Sequence, residues 1–319
     1  MLKVSPKSRI PEHITRRLSI PVIAAPMLRV SGPALVKSVC ANGVIGAFPT
    51  ANARTVDELD AWLTEIETDL ARFDGKAAPY CPNLIIRQPR FRDDLACLVK
   101  HKVETVITSV GSPAEAVGPL HDVGCLVFAD VATLRHAEKA VEAGSDGLIL
   151  LTAGAGGQTG WMNPFAFVRA VRAFFDGPIV LAGGVSDGAS LRAAEVLGCD
   201  LAYMGTRFIA AQESMAADRY KQMLVDSTLD DVLLTRAFTG LQTNMLRPSI
   251  MAAGLNPEKL DEEISVERAK ADYGGRSGGE RPKRWTDIWS AGHSVSGVDR
   301  VAPAAEIIDT VRQQYQALR

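Results

Sequence analysis

No stretch of about 18 consecutive apolar residues occurs in this 319-residue chain, so nothing in it reads as a transmembrane helix. The basic N-terminal segment is not followed by the apolar core of a secretory signal, and the expected compartment is the cytoplasm. Charge of one sign is also missing. A formal net charge of -2 gives no electrostatic reason to bind nucleic acid or a membrane surface, which leaves a small molecule as the expected partner. Cysteine is scarce and scattered: Cys40, Cys81, Cys97, Cys125 and Cys199 form no CxxC pair and are odd in number. That pattern excludes a disulfide frame and a zinc site, predicts buried reduced thiols, and gives no metal centre. There is no internal repeat.

What is present is the composition of a globular enzyme, 47% hydrophobic and 23% charged. Short apolar runs rich in β-branched residues alternate with longer segments of helical period. The strand candidates are Val22 to Ala25, Val44 to Ala47, Tyr80 to Leu84, Thr105 to Thr108, Cys125 to Ala129, Gly147 to Leu151, Ile179 to Ala182 and Leu201 to Met204. Helices fill the gaps: 55–72 places Leu59, Leu63 and Ile66 on one face, and 133–143 opens on a capping threonine. Eight successive βα units predict an α/β fold closed as a (β/α)8 TIM barrel, with an open doubly wound sheet as the competing arrangement. Residues 1–210 and 291–319 would form the barrel, and 211–290 a helical insertion after strand eight that serves as a lid. The spacing of Ile307, Ile308, Val311 and Tyr315 predicts the closing helix.

In such a barrel, chemistry belongs to the carboxyl ends of the strands, and the loops after strands seven and eight often hold a phosphate. Here those loops read Ala182-Gly183-Gly184-Val185 and Met204-Gly205-Thr206-Arg207. Gly183, Gly184, Gly205 and Thr206 therefore form a candidate phosphate cradle built from backbone N–H groups. The strand-one end, Ala25-Pro26-Met27, turns the chain across the barrel top, and Asn83 after Pro82 and Thr108-Ser109 after strand four add amide and hydroxyl groups at the same face that suit the edge of a heteroaromatic ring. The loop after strand six, Gly154-Ala155-Gly156-Gly157-Gln158-Thr159-Gly160, lacks the GxGxxG spacing of a dinucleotide fingerprint and the GK[ST] of a P-loop. Thr239, Asn244 and Trp161 are candidates for the pocket wall. His13, His101, His121 and His136 fall in the N-terminal arm or in helical stretches and are expected in surface or packing roles.

Together, Ile23-Ala24-Ala25-Pro26-Met27, Thr152 to Gly157, Leu181 to Gly184, Met204 to Phe208 and Trp289-Ser290-Ala291-Gly292 resemble the motif series of the nitronate monooxygenase family across roughly residues 20–315. The superfamily also includes flavin-dependent enoyl-acyl-carrier-protein reductases and NADH:quinone reductases. The resemblance implies a TIM barrel with non-covalent FMN. It places the ring near Ala25, Pro26, Met27, Asn83 and Ser109, with Asp130, Gly157 and Gln158 close by, and the phosphate at Gly183, Gly184, Gly205 and Thr206.

Three departures stand out. Where family members carry a catalytic histidine in a GGHxG loop, this chain has Gln158, a neutral amide that orients but cannot accept a proton. Asp130 stands where some relatives carry a lysine facing the flavin. His293 stands where relatives read glutamine, in a loop context that makes it, with Gln158, a candidate catalytic residue. The resemblance implies oxidation of alkyl nitronates with O2 to a carbonyl compound and nitrite. An NAD(P)H-dependent reductase of quinones or enoyl thioesters, a flavin-binding protein without turnover, and a phosphate-sugar isomerase on the same barrel are the alternatives. A homodimer is expected only as the commonest assembly.

Overall fold

A computed structural model describes residues 8–275 and 281–318. Eight parallel strands close into a barrel: β1 (Val22–Ala24), β2 (Ile45–Pro49), β3 (Tyr80–Ile85), β4 (Thr105–Ser109), β5 (Leu126–Val131), β6 (Gly147–Leu151), β8 (Ile179–Ala182) and β9 (Leu201–Met204). The remaining early strand, β7 (Gly157–Gln158), lies outside the barrel. Closure is made by β1 against β9, with Ile23 opposite Tyr203. All eight predicted strands are barrel strands. β2 and β5 run two residues further than the apolar runs suggest, because Pro49 still pairs with Asn83 and Val131 with Leu150.

Alternation along each strand divides two cores. Ile23, Ile45, Cys81, Ile107, Phe128 and Ile149 point to the barrel axis, while neighbours such as Ala24, Val106, Val127 and Leu148 pack against the surrounding helices. Ile10 and Ile14, from the segment around the short helix Glu12–Thr15, join the axial cluster. Both predicted helix starts are capped by side chains: Thr55 accepts from the Glu58 N–H, and Thr133 from the His136 N–H. Leu59, Leu63 and Ile66 are buried as their spacing requires. The last helix, Ala304–Ala317, buries Ile307, Ile308, Val311 and Tyr315. All five cysteines are buried and unpaired, and burial pushes the Cys40, Cys81 and Cys199 thiols up to about 12, which keeps them protonated and unreactive. His101 is held between Asp60 and Glu67, a packing role.

The insertion after the eighth barrel strand carries the helices Asp218–Asp226, Arg247–Ala252 and Val266–Tyr273. It also contains an antiparallel hairpin, β10 (Val232–Thr235) and β11 (Thr243–Leu246), which the helical reading of this segment did not anticipate. β11 pairs with β7, Thr243 opposite Gln158 and Asn244 opposite Gly157. The glycine-rich loop after β6 is thereby joined to the insertion's hairpin as a third strand. No helix among the described residues is long and apolar enough to cross a membrane.

Candidate active site

The carboxyl ends of the barrel strands and the inner face of the insertion enclose a cavity of about 1150 Å3. A drug-sized ligand needs about 300 to 1000 Å3, so a cofactor and a substrate fit side by side. Ala25, Pro26, Met27, Asn83, Ser109, Asp130, Gly157, Gln158, Gly183, Gly184, Gly205 and Thr206 all line it. One sequence candidate does not. His293 has an exposed side chain, and its contribution is a backbone N–H that donates to the Gly154 carbonyl at 3.0 Å. The imidazole on the cavity wall belongs instead to His136, in the first turn of the helix Leu134–Glu142. Of the three candidate wall residues, Thr239 lines the cavity, Trp161 is 68% exposed to solvent, and Asn244 is buried beneath the glycine loop.

The floor follows from strand alternation. Two residues beyond the axial Cys81, Ile107, Phe128 and Leu201 stand Asn83, Ser109, Asp130 and Tyr203, so the top interior layer of the barrel is polar. Asn83 Nδ2 donates to Ser109 Oγ at 3.0 Å, and Ser109 Oγ lies 3.3 Å from Asn83 Oδ1. Asp130 Oδ1 and the Tyr203 hydroxyl are enclosed without any partner. Burial alone pushes the Asp130 carboxyl up to about 7. The Tyr203 hydroxyl is raised well above its ordinary value, by burial first and then by the Asp130 charge.

On one side of the floor lies the glycine cradle. Gly184 has φ of 79°, a backbone only glycine adopts freely, and open space where a Cβ would stand. Among the described residues no acceptor takes the N–H of Gly183, Gly184 or Gly205. The Thr206 hydroxyl accepts from the Gly292 N–H at 2.9 Å, which leaves its own proton free to donate. Unclaimed donors around an open glycine turn are what a phosphate requires, and the paired amide and hydroxyl of the floor suit a ring edge. The residues present therefore fit a flavin mononucleotide.

Gln158 stands on the adjoining loop, which packs against Gly183: a Cβ there would come 2.8 Å from the Ala155 nitrogen. Gly156 sits so close to the Ala291–Gly292 backbone that a Cβ would come 2.7 Å from the Gly292 nitrogen, and the Gln158 side chain is exposed at the cavity wall. Beyond it the wall turns basic, with Arg87, His136, Lys139, Arg236 and Arg284. Among the described residues none of these five side chains is paired with a carboxylate, the Arg236 guanidinium donating to the Gly240 carbonyl and its backbone N–H to Glu262 Oε2, although cations elsewhere are paired, as Arg172 is to Asp200 at 2.6 Å. Arg284 is half-buried, donates to the Phe238 carbonyl at 2.8 Å, and is held below the usual guanidinium range by burial. Asp130 is the one acidic residue among the cavity-lining residues. Sequence reasoning missed the basic wall and Tyr203. The place of Tyr203, two residues before Gly205 on an inward-facing register, was the available signal.

A closed parallel barrel with a polar floor, and with glycine turns after its seventh and eighth strands, defines the class: the TIM-barrel enzymes. The profile of the nitronate monooxygenase family matches residues 69–314, and the chain belongs to that family of oxidoreductases. It is 26% identical to a nitronate monooxygenase of Paraburkholderia phytofirmans over 341 aligned positions, covering 93% of this chain and 92% of the relative. It is 28% identical over 238 residues to a (3aS,4S,5R,7aS)-5-hydroxy-7a-methyl-1-oxo-octahydro-1H-indene-4-carboxyl-CoA dehydrogenase of Rhodococcus jostii, covering 72% of this chain and 64% of that protein. The chain thus spans under two thirds of that relative's length. Among solved structures, FabK from Thermotoga maritima superposes with a TM-score of 0.77 at 22% identity, over 98% of this chain and 97% of that one. A nitroalkane oxidase from Streptomyces ansochromogenes gives 0.75 at 23% identity, over 96% and 99%. Both share the fold.

Proposed function

We propose that this chain is an FMN-dependent oxidoreductase of the nitronate monooxygenase type, which oxidises alkyl nitronates with O2 to a carbonyl compound and nitrite. The observation that carries the reading is the pairing of an anion-attracting wall with Gln158 where a base would stand. A nitronate is already a carbanion, so its oxidation needs no proton removed by the protein. Gln158 donates a hydrogen bond to the nitronate oxygens and orients them. Arg284 and Lys139 draw the anion in and offset its charge. Gly183, Gly184, Gly205 and Thr206 hold the phosphate of FMN, and Ala25, Pro26, Met27, Asn83 and Ser109 border its ring. Bound there, the flavin supplies the electron acceptor that amino-acid side chains lack.

A second reading is favoured by the size of the cavity and by its unpaired cations, which exceed what a small nitronate needs. It is an NAD(P)H-dependent reductase of quinones or enoyl thioesters, whose phosphate-bearing substrates would use the whole wall. The resemblance to a carboxyl-CoA dehydrogenase supports a thioester within this reading.

One experiment separates the two. The purified protein, loaded with FMN, is titrated anaerobically with a nitronate and in parallel with NAD(P)H, following the flavin band at about 450 nm. Bleaching by nitronate and not by NAD(P)H is the expected result. The reverse preference would move the protein to the reductases, and failure to bind FMN would remove both readings.

A further inference from the structure

A buried carboxyl without a hydrogen-bond partner is costly, and a fold retains one where something else completes it. Asp130 carries one such oxygen on a half-buried side chain. Its Oδ1 is enclosed and unpartnered on the cavity floor, in the same layer as the Asn83–Ser109 pair. The groups that face it do not hold its charge. From β9 comes the neutral Tyr203 hydroxyl, itself unpartnered, and from β3, one layer below, the Cys81 thiol, pushed up to about 12. Asn83 and Ser109, from β3 and β4, are neutral and bonded to each other. His136 and Lys139 stand on the helix that follows β5, exposed at the rim, with Arg87, Arg236 and Arg284 on the wall, and none of them pairs with the carboxyl. Whatever ring covers this layer becomes the missing partner.

We propose that Asp130 is a proton-switching contact to the flavin ring, donating a hydrogen bond to it as a neutral acid and, as a carboxylate, opposing the negative charge that electron uptake brings. This rests on the reading above that FMN binds in this cavity. Burial places the carboxyl near 7, so both forms exist around neutral pH. A negative charge arriving on the ring raises the affinity of the neighbouring carboxylate for a proton. Two electrons delivered by substrate are then accompanied by one further proton, taken from solvent to form the O–H bond of Asp130. Charge beside the ring is one of the protein's means of setting flavin electronics.

The test is the midpoint potential of the FMN-loaded protein from about pH 6 to about pH 9, for the wild type and Asp130→Asn, whose amide copies the neutral acid. At the acid end the two curves should converge. At the alkaline end Asp130→Asn should be easier to reduce by at least tenfold in the equilibrium constant, about 30 mV for a two-electron couple, because the wild type then carries the carboxylate. The wild-type slope should show the additional proton, and that of the variant should not. A constant offset across the range, or identical curves with FMN bound in both, would overturn the proposal and leave the proposed function standing. A wild type that fails to take up FMN would overturn both. Should Asp130→Asn not fold, Asp130→Ser, smaller and equally neutral, must show the same loss of the pH break.

Discussion

The side-chain amide of Asn244, carried on the lid strand β11, donates to the carbonyls of Ala153 and Ala155 at 2.9 and 2.7 Å. One buried side chain of the lid thereby fixes the backbone of the barrel loop that presents Gln158. Replacing Asn244 with Ala leaves two enclosed carbonyls without donors. A loss of about 2 to 4 kcal/mol is expected, read as a lower midpoint in urea unfolding. Asn244→Asp should be at least as damaging, because a carboxylate facing two carbonyl oxygens offers no donor.

Gly184 and Gly75 share a left-handed backbone, with φ of 79° and 73°, and a Cβ at either would meet nothing within 4 Å. Alanine at either position should therefore cost a similar amount of stability, roughly 1 kcal/mol. Only Gly184 lines the cavity. Gly184→Ala should weaken FMN binding about tenfold or more, a loss of about 1.4 kcal/mol, while Gly75→Ala leaves it unchanged. Equal FMN affinity in the two variants, measured by flavin fluorescence, would remove the phosphate from this turn.

Gln158→His should supply a base at the loop position that lacks one. Activity on a neutral nitroalkane is expected to rise about 100-fold, the lower end of what general base catalysis contributes. The neutral imidazole is the active form, so kcat/KM should increase with pH through about 6.5 and then level off. Oxidation of the preformed nitronate should change far less. A flat pH profile on the nitroalkane would mean that residue 158 does not reach the carbon acid.

Asp200 immediately precedes β9 and ties together three parts of the barrel. It accepts from Arg172 Nη2 at 2.6 Å, from the Ile179 N–H at 3.0 Å and from the Arg9 N–H at 3.0 Å. The side chains of Arg172 and Asp200 are 7% and 3% exposed, so removing the carboxylate strands a buried cation. Asp200→Ala should cost about 3 to 5 kcal/mol. The assay is thermal unfolding, with soluble yield as a second readout.

The fold was legible because βα units write their period locally: the eight apolar runs, the caps Thr55 and Thr133 and the spacing of the last helix need only near neighbours in sequence. The glycine turn after the seventh barrel strand was legible for the same reason, since a left-handed residue such as Gly184 is a local demand on the backbone. Asn83 and Ser109 could be placed at the barrel mouth because they lie in the last residues of their strands. By contrast, the partner of β7 was invisible in sequence, because two residues of glycine loop become a strand only when Thr243 and Asn244, more than 80 positions away, lie beside them.

The sequence by itself determined the barrel, the glycine turns at its mouth and the absence of a base at position 158, each a matter of residue type and spacing. Tertiary structure alone decided that His136 lines the cavity and the imidazole of His293 does not, that Arg87, Lys139, Arg236 and Arg284 face one space with Asp130 as its single acidic lining residue, and that Asp130 Oδ1 and the Tyr203 hydroxyl are left unpartnered together. Those are statements about what is missing around a side chain. A missing partner is a property of the whole surrounding volume, assembled from distant strands and the lid, and no local pattern records it.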